Sequence, residues 1–223
     1  MTRTHRVWAS RVRAEHRSAA ATADLLQRMI TAGAPDDLLR VALRIVGDEL
    51  DHAQLCHKTL VGLGGDGDAV EVEPTLRRGP ASLEELLPSI LRTVLKVFCF
   101  GETLAVPFFA EMRKNARGPA RPTLDRIVRD EAVHSKFGWD SLDWLLELGG
   151  EDLRPAIGAM LPELVQHFEG VYAQRVAEDL SPAELRAGLL SASRYRKLCW
   201  RTVNATILPR MKARGIVVPE ETP

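Results

Sequence analysis

A chain of 223 residues is long enough for one large domain, and its 45 % hydrophobic and 27 % charged content is that of an ordinary globular protein. Thirty basic residues balance thirty acidic ones, so there is no cationic excess to make a nucleic-acid footprint. The Arg-rich start (Arg3, Arg6, Arg11, Arg13, Arg17) has no apolar stretch behind it and does not read as a secretory signal, and no run approaches the ~18 apolar residues of a membrane span.

Cys56, Cys99 and Cys199 have neither metal-site nor disulfide spacing, so a reducing cytoplasm is the default setting. Ala, Arg, Leu and Glu dominate, which predicts a mostly helical chain. A first helix is expected from about Val7 to Ala32, ended by Gly33 and Pro35. A second starts at Asp36-Asp37, whose charges suit a helix N-terminus, and stops at Gly62–Gly65. Residues 64–81 read as a long polar connection. Ser82 with Glu85 forms a capping-box pattern for a third helix reaching Asn115. A fourth follows Pro119 or Pro122 and ends at Gly149-Gly150, a fifth spans about 152–179, and Ser181-Pro182-Ala183-Glu184 starts a sixth.

Short, long, short connections make two antiparallel helix pairs joined by one crossover, an all-α, up-down four-helix bundle of ferritin-like topology over residues 1–150. Residues 151–223 form a C-terminal helical extension expected to pack on that bundle.

Inside this pattern one phrase occurs twice. Arg44-Ile45-Val46-Gly47-Asp48-Glu49-Leu50-Asp51-His52 returns 82 residues later as Arg126-Ile127-Val128-Arg129-Asp130-Glu131-Ala132-Val133-His134. Each copy holds Glu-x-x-His, and one helix upstream of each stands another Glu, Glu15 and Glu102. Residues three apart share a helix face, so Glu49 with His52, and Glu131 with His134, can each reach one ion. Carboxylate and imidazole ligands suit iron or manganese. Four carboxylates against two divalent ions leave no net charge to bury. Two Glu-x-x-His pairs alone are a weak signal in a chain with six His; two in matching contexts, each one helix after a Glu, are specific.

Each copy also forms an Arg, Asp, His stripe at i, i+4 spacing: Arg44, Asp48, His52 and Arg126, Asp130, His134. A metal-bound imidazole normally donates its other N–H to an acceptor, often a carboxylate, which in turn needs a partner. Arg to Asp to His is therefore the expected supporting chain.

Glu15, Glu49-x-x-His52, Glu102 and Glu131-x-x-His134 together resemble the ligand set of the ferritin-like di-iron carboxylate superfamily, closest in spacing to its rubrerythrin-like and bacterial oxygenase-like members. The resemblance covers roughly residues 7–148. It implies two iron ions, or a manganese–iron pair, held by those six residues. It also implies that Asp48 and Asp130 serve the histidine of the opposite Glu-x-x-His helix. Its members bind O2 or peroxide and oxidise iron, a substrate or a protein residue. No Cys-x-x-Cys module is present, and Tyr172 and Tyr195 lie outside the four ligand helices, so neither a rubrerythrin nor a radical-generating subunit fits.

Three functions remain: a di-iron oxidoreductase that activates O2 or peroxide and oxidises a small organic substrate, using an electron donor; a ferroxidase or peroxide-reducing protective protein; and a non-catalytic helical interaction module. A homodimer is left open. Pro107, within two turns of Glu102, is expected to distort the third helix and open a substrate pocket. Cys56 and Cys99 read as inert buried thiols. His16 should point about 100° away from Glu15, and His57 and His167 are weaker extra candidates.

Overall fold

The computed structural model describes residues 1–68, 70, 82, 84–173 and 178–218. Its helices are α1 (Arg3–Thr31), α2 (Asp36–Gly62), α3 (Leu86–Asn115), α4 (Ala120–Gly149), α5 (Leu153–Ala173), α6 (Pro182–Arg186) and α7 (192–212), with no strand among the described residues.

Local chemistry sets most of the helix ends. Thr2 Oγ1 accepts from the His5 N–H at the start of α1, and Gly33, at φ +73°, lets the chain turn out of it. The capping box of Ser181 and Glu184 is complete, with Pro182 at the first helical position. That helix nevertheless stops after five residues, because Gly188 turns the chain at φ +76°. Ser191 then caps α7 through Arg194 N–H, so the expected single sixth helix is two. The Ser82 pattern lies just ahead of the helix. Its Oγ accepts from Glu85 N–H at 3.4 Å, but the helix begins at Leu86 without a side-chain cap. The fifth helix is helical to Ala173. Its expected continuation falls on 174–177, outside the described residues, and 178–180 are not helical.

α1 packs beside α2 and α3, and α4 packs beside the same two helices. Cross-links show that every adjacent pair runs antiparallel. His5 Nε2 donates to Leu63 O at 3.1 Å, Thr59 and Thr123 hydroxyls meet at 2.8 Å, and Thr103 and Ser135 hydroxyls meet at 2.9 Å. Arg28, near the end of α1, donates to Ser89 O at 2.7 Å near the start of α3. α2 and α3 therefore run in the same direction, and residues 63–85 join opposite ends of the four-helix layer. The long polar connection expected at 64–81 lies largely outside the described residues.

α3 is not a uniform α-helix. Its middle, Val94–Glu102, is π-helical, and Pro107 sits inside the α-helical turns that follow. The distortion expected at the proline thus lies upstream of it and ends on Glu102. α3 is also, contrary to the sequence expectation, long and apolar enough to cross a membrane. Lys96 and Glu102 interrupt any unbroken apolar run, which hides this in a simple scan. Half of that stretch is buried in the fold, the position of a core helix packed on α1 and α4.

The C-terminal helices close over one side of this layer and share its hydrophobic core, which runs from Trp8 to Ile216. Phe168 of α5 stacks on Phe100 of α3 at 5.6 Å between ring centroids. Trp8 Nε1 donates to Ala187 O at 2.9 Å, and Arg11 Nη2 to Gly188 O at 2.8 Å. Arg214 binds Asp143 through two hydrogen bonds, at 2.6 and 2.8 Å.

α3 and α4 approach closely at Gly138. A Cβ there would lie 2.6 Å from Phe98 Cβ and 2.8 Å from the Phe98 carbonyl carbon, both in the π-helical stretch. Gly138→Ala is expected to destabilise the fold by about 1–3 kcal/mol through overpacking, read as a lower denaturant midpoint at unchanged slope. An unchanged midpoint would show that the helices separate at no cost.

Candidate metal centre

The antiparallel crossing of α2 and α4 brings the two copies of the repeated phrase face to face. Glu15 enters from α1, and Glu102 enters from the last residue of the π-helical stretch. All six side chains are buried: none of Glu15, Glu49, His52, Glu102, Glu131 and His134 is more than 8 % exposed.

Ligand atoms of Glu15, Glu49 and His52 lie within 4.8 Å of one another, and so do those of Glu49, Glu102 and His134. Both sets can hold a metal ion, and Glu49 belongs to both. Glu131 joins neither set. It sits alongside, with Oε2 3.6 Å from His134 Nδ1. The two copies of the phrase are therefore not used identically: Glu49 is central and Glu131 peripheral.

The histidines are oriented from outside. Asp130 Oδ2 accepts from His52 Nε2 at 3.0 Å, and Asp48 Oδ2 accepts from His134 Nε2 at 3.4 Å. An ionised carboxylate can only accept, so Nε2 carries the proton and Nδ1 faces inward. His52 Nδ1 stands 3.5 Å from Glu49 Oε2, and His134 Nδ1 stands 3.6 Å from Glu49 Oε1. Buried polar atoms are almost always hydrogen-bonded. Among the described residues six such side-chain atoms lack a partner, and four of them are here: Glu49 Oε2, Glu131 Oε2, His52 Nδ1 and His134 Nδ1. Four unpartnered ligand atoms gathered in one buried cluster are what a cation site requires.

Electrostatics point the same way. Burial, reinforced by the Glu49 charge, holds the Glu15 carboxyl well above its usual range. Burial and Glu131 do the same to Glu102, and burial pushes Glu131 up to about 8. For Glu49 burial is outweighed by its close neighbours His52, Glu15 and His134, and its pKa falls. His52 is also desolvated, but the Glu49 and Asp130 carboxylates more than offset this and raise its proton affinity. A pocket that so strongly attracts protons equally favours a divalent cation.

The Asp–His links cross between helices, as the resemblance implied, instead of running along one as the i, i+4 stripe suggested. In the antiparallel pair each Asp faces the neighbouring helix, where it meets the other copy's His. The Arg–Asp links do run along the helix: Arg44 Nε reaches Asp48 at 3.3 Å, and Arg126 binds Asp130. Arg126 also reaches across to Asp48 at 3.2 Å and Asp51 at 3.5 Å. With hydrogen bonds from Arg126 and His52, Asp130 stays below the usual carboxylate range despite its burial.

Ser18 donates to Glu49 Oε1 at 2.8 Å. In the sequence the one signal for this contact is that Ser18 stands one turn after Glu15 on the same helix face. Cys56 and Cys99 are fully buried with raised pKa values, as inert thiols are. His57 Nε2 donates to Gly67 O, and His167 packs edge-on against Phe168; neither joins the cluster.

Beside the cluster lies a cleft of about 410 Å³, walled by Thr103, Val106 and Pro107 of α3, Ser135 of α4 and the 201–210 stretch of α7. Val106 is one turn from Glu102, and Ser135 one turn from Glu131.

Supporting residues commonly change metal affinity ten- to a hundredfold. Asp130→Asn is expected to weaken metal binding by about that factor, and Asp48→Asn by less, since its histidine contact is the longer. Equal affinities for both variants and the parent, by competition against a chromophoric chelator, would remove the proposed orienting role. Chelating the ions from loaded protein should lower the melting temperature by about 5–10 °C, because ligands of the native state stabilise it by mass action. An unchanged melting curve would mean that the cluster binds no ion of consequence.

Compared with known proteins, the chain matches no family model and no curated sequence, so its functional reading rests on this geometry.

Proposed function

We propose that the chain is a ferritin-like di-iron protein that uses O2 to oxidise a small organic molecule. The observation that carries the reading is the pair of buried ligand groups that share Glu49, in which Glu49 Oε2, His52 Nδ1 and His134 Nδ1, with the neighbouring Glu131 Oε2, have no hydrogen-bond partner. An antiparallel layer in which α2 and α3 run in the same direction supports the single-crossover bundle of that superfamily.

Glu15 with His52, and Glu102 with His134, serve one iron each, and Glu49 lies within reach of both. Glu131 supplies the fourth carboxylate, so two divalent ions are buried without net charge. Asp130 and Asp48 keep each Nδ1 unprotonated and aimed inward. Bound here, a reduced iron pair supplies electrons to O2 and oxidising power for a substrate C–H or N–H bond. Inserting one oxygen atom and reducing the other to water takes two electrons and two protons from outside, so an electron donor is a required partner. The cleft one turn from Glu102 and Glu131 supports an organic substrate over iron itself, which would need no such space. Three free, buried cysteines suit a reducing cytoplasm.

Elemental analysis of protein expressed with added iron, followed by anaerobic Fe(II) and O2 titration read in the near-UV, tests this. The expected result is about two irons per chain, new absorption only after O2, and loss of both in Glu49→Ala with the helical circular dichroism intact. No bound metal in a folded chain overturns the proposal. Uptake of many irons per chain moves it to iron oxidation.

A further inference from the structure

The cleft beside the metal cluster is built for charge. Four cationic side chains surround it and its 250 Å³ continuation, which share Ser135 and Arg210: Arg201, Arg210, Lys136 and Arg214. Two are neutralised, Lys136 by Asp140 at 2.5 Å and Arg214 by Asp143 at 2.6 Å. Arg201 and Arg210 have no carboxylate partner among the described residues, and no Asp or Glu lines either part of the cleft. Arg210 is instead laid over the Trp139 ring, 5.2 Å from its centroid. That ring is itself fixed by Nε1 donating to Thr103 Oγ1 at 3.1 Å.

The backbone shows why both guanidinium groups reach one cleft. Residues nine apart on a straight α-helix stand on nearly opposite faces. Between Arg201 and Arg210 the chain is π-helical, over Val203–Ile207. The wider turn shifts the helix phase, and both arginines line the same space. Val106, Pro107 and Ala205 add apolar lining, and the lining also includes Thr103 and Ser135, whose hydroxyls are hydrogen-bonded and which follow Glu102 and His134 in the chain.

We propose that this cleft binds a small organic anion, its carboxylate or phosphate held by Arg201 and Arg210 and its apolar body against Val106 and Pro107. A guanidinium pair with no internal counter-charge matches the geometry of an oxyanion. As the substrate class of the oxidation, this rests on the di-iron reading; as a binding site, it does not.

The test is calorimetric titration, with and without bound iron, using benzoate, phenyl phosphate and neutral benzamide as probes. The expected result is one-to-one binding of benzoate or phenyl phosphate at least tenfold tighter than benzamide, in both forms of the protein. The tighter of the two anions identifies carboxylate or phosphate monoester. The double variant R201Q/R210Q loses that preference, while Arg196→Gln, paired with Glu178 at the surface, keeps it. Two anions bound no better than benzamide, or an unchanged preference in R201Q/R210Q, overturns the proposal. A chain that binds the anions but no iron sinks the oxidase reading alone, and one that loads two irons yet ignores the anions sinks only the binding site.

Discussion

Burying four carboxylates and two imidazoles in one helical core is costly unless a positive charge joins them, and much of this molecule is arranged around that constraint. Glu15, Glu49, Glu102 and Glu131 come from four different helices, each otherwise anchored in the core by residues such as Leu25, Ile45, Phe98 and Ile127. Isolated carboxylates in such a place would protonate, and the raised proton affinities of Glu15, Glu102 and Glu131 record that pressure. Metal ions held by these same side chains would answer it without changing the packing. The surrounding Asp48, Asp130 and Arg126 network then has a plain role: it keeps the imidazoles from turning away.

Much of this was legible in the sequence because it is periodic. The repeated phrase, the Glu one helix upstream of each copy and the breaks at Gly33 and Gly149-Gly150 are all local patterns, and the helices formed where those patterns put them. What escaped is non-local. Asp48 and His52 share a helix face at i, i+4 spacing, so spacing alone pairs them; the crossed pairing comes only from the family resemblance, and it is the antiparallel docking of α2 on α4 that hands each Asp to the other histidine. The unequal use of Glu49 and Glu131 likewise depends on how four helices settle, and nothing in two matching nine-residue phrases distinguishes them.

Two other features were hidden for a different reason. Both π-helical stretches, Val94–Glu102 and Val203–Ile207, lie inside helices whose composition reads as continuous, and an extra residue per turn leaves no mark in a 3.6-residue pattern. Their effects are structural: one ends on Glu102, the other lies between Arg201 and Arg210, and the two stretches touch. Pro107 and Pro209 were the nearest visible signals, but each follows its distortion instead of sitting in it.

The crossed histidine–aspartate pairs have a consequence for how the halves of the chain relate. Neither helical hairpin can orient its own imidazole: the acceptor for His52 is on α4, and the acceptor for His134 is on α2. A polypeptide containing a single hairpin would have to borrow that acceptor from a second copy of itself. The centre therefore has the logic of a two-fold dimer written into one chain. Within one chain the two copies need not be used alike, and they are not: Glu49 belongs to both ligand groups and Glu131 to neither, an asymmetry that an exactly two-fold dimer could not hold.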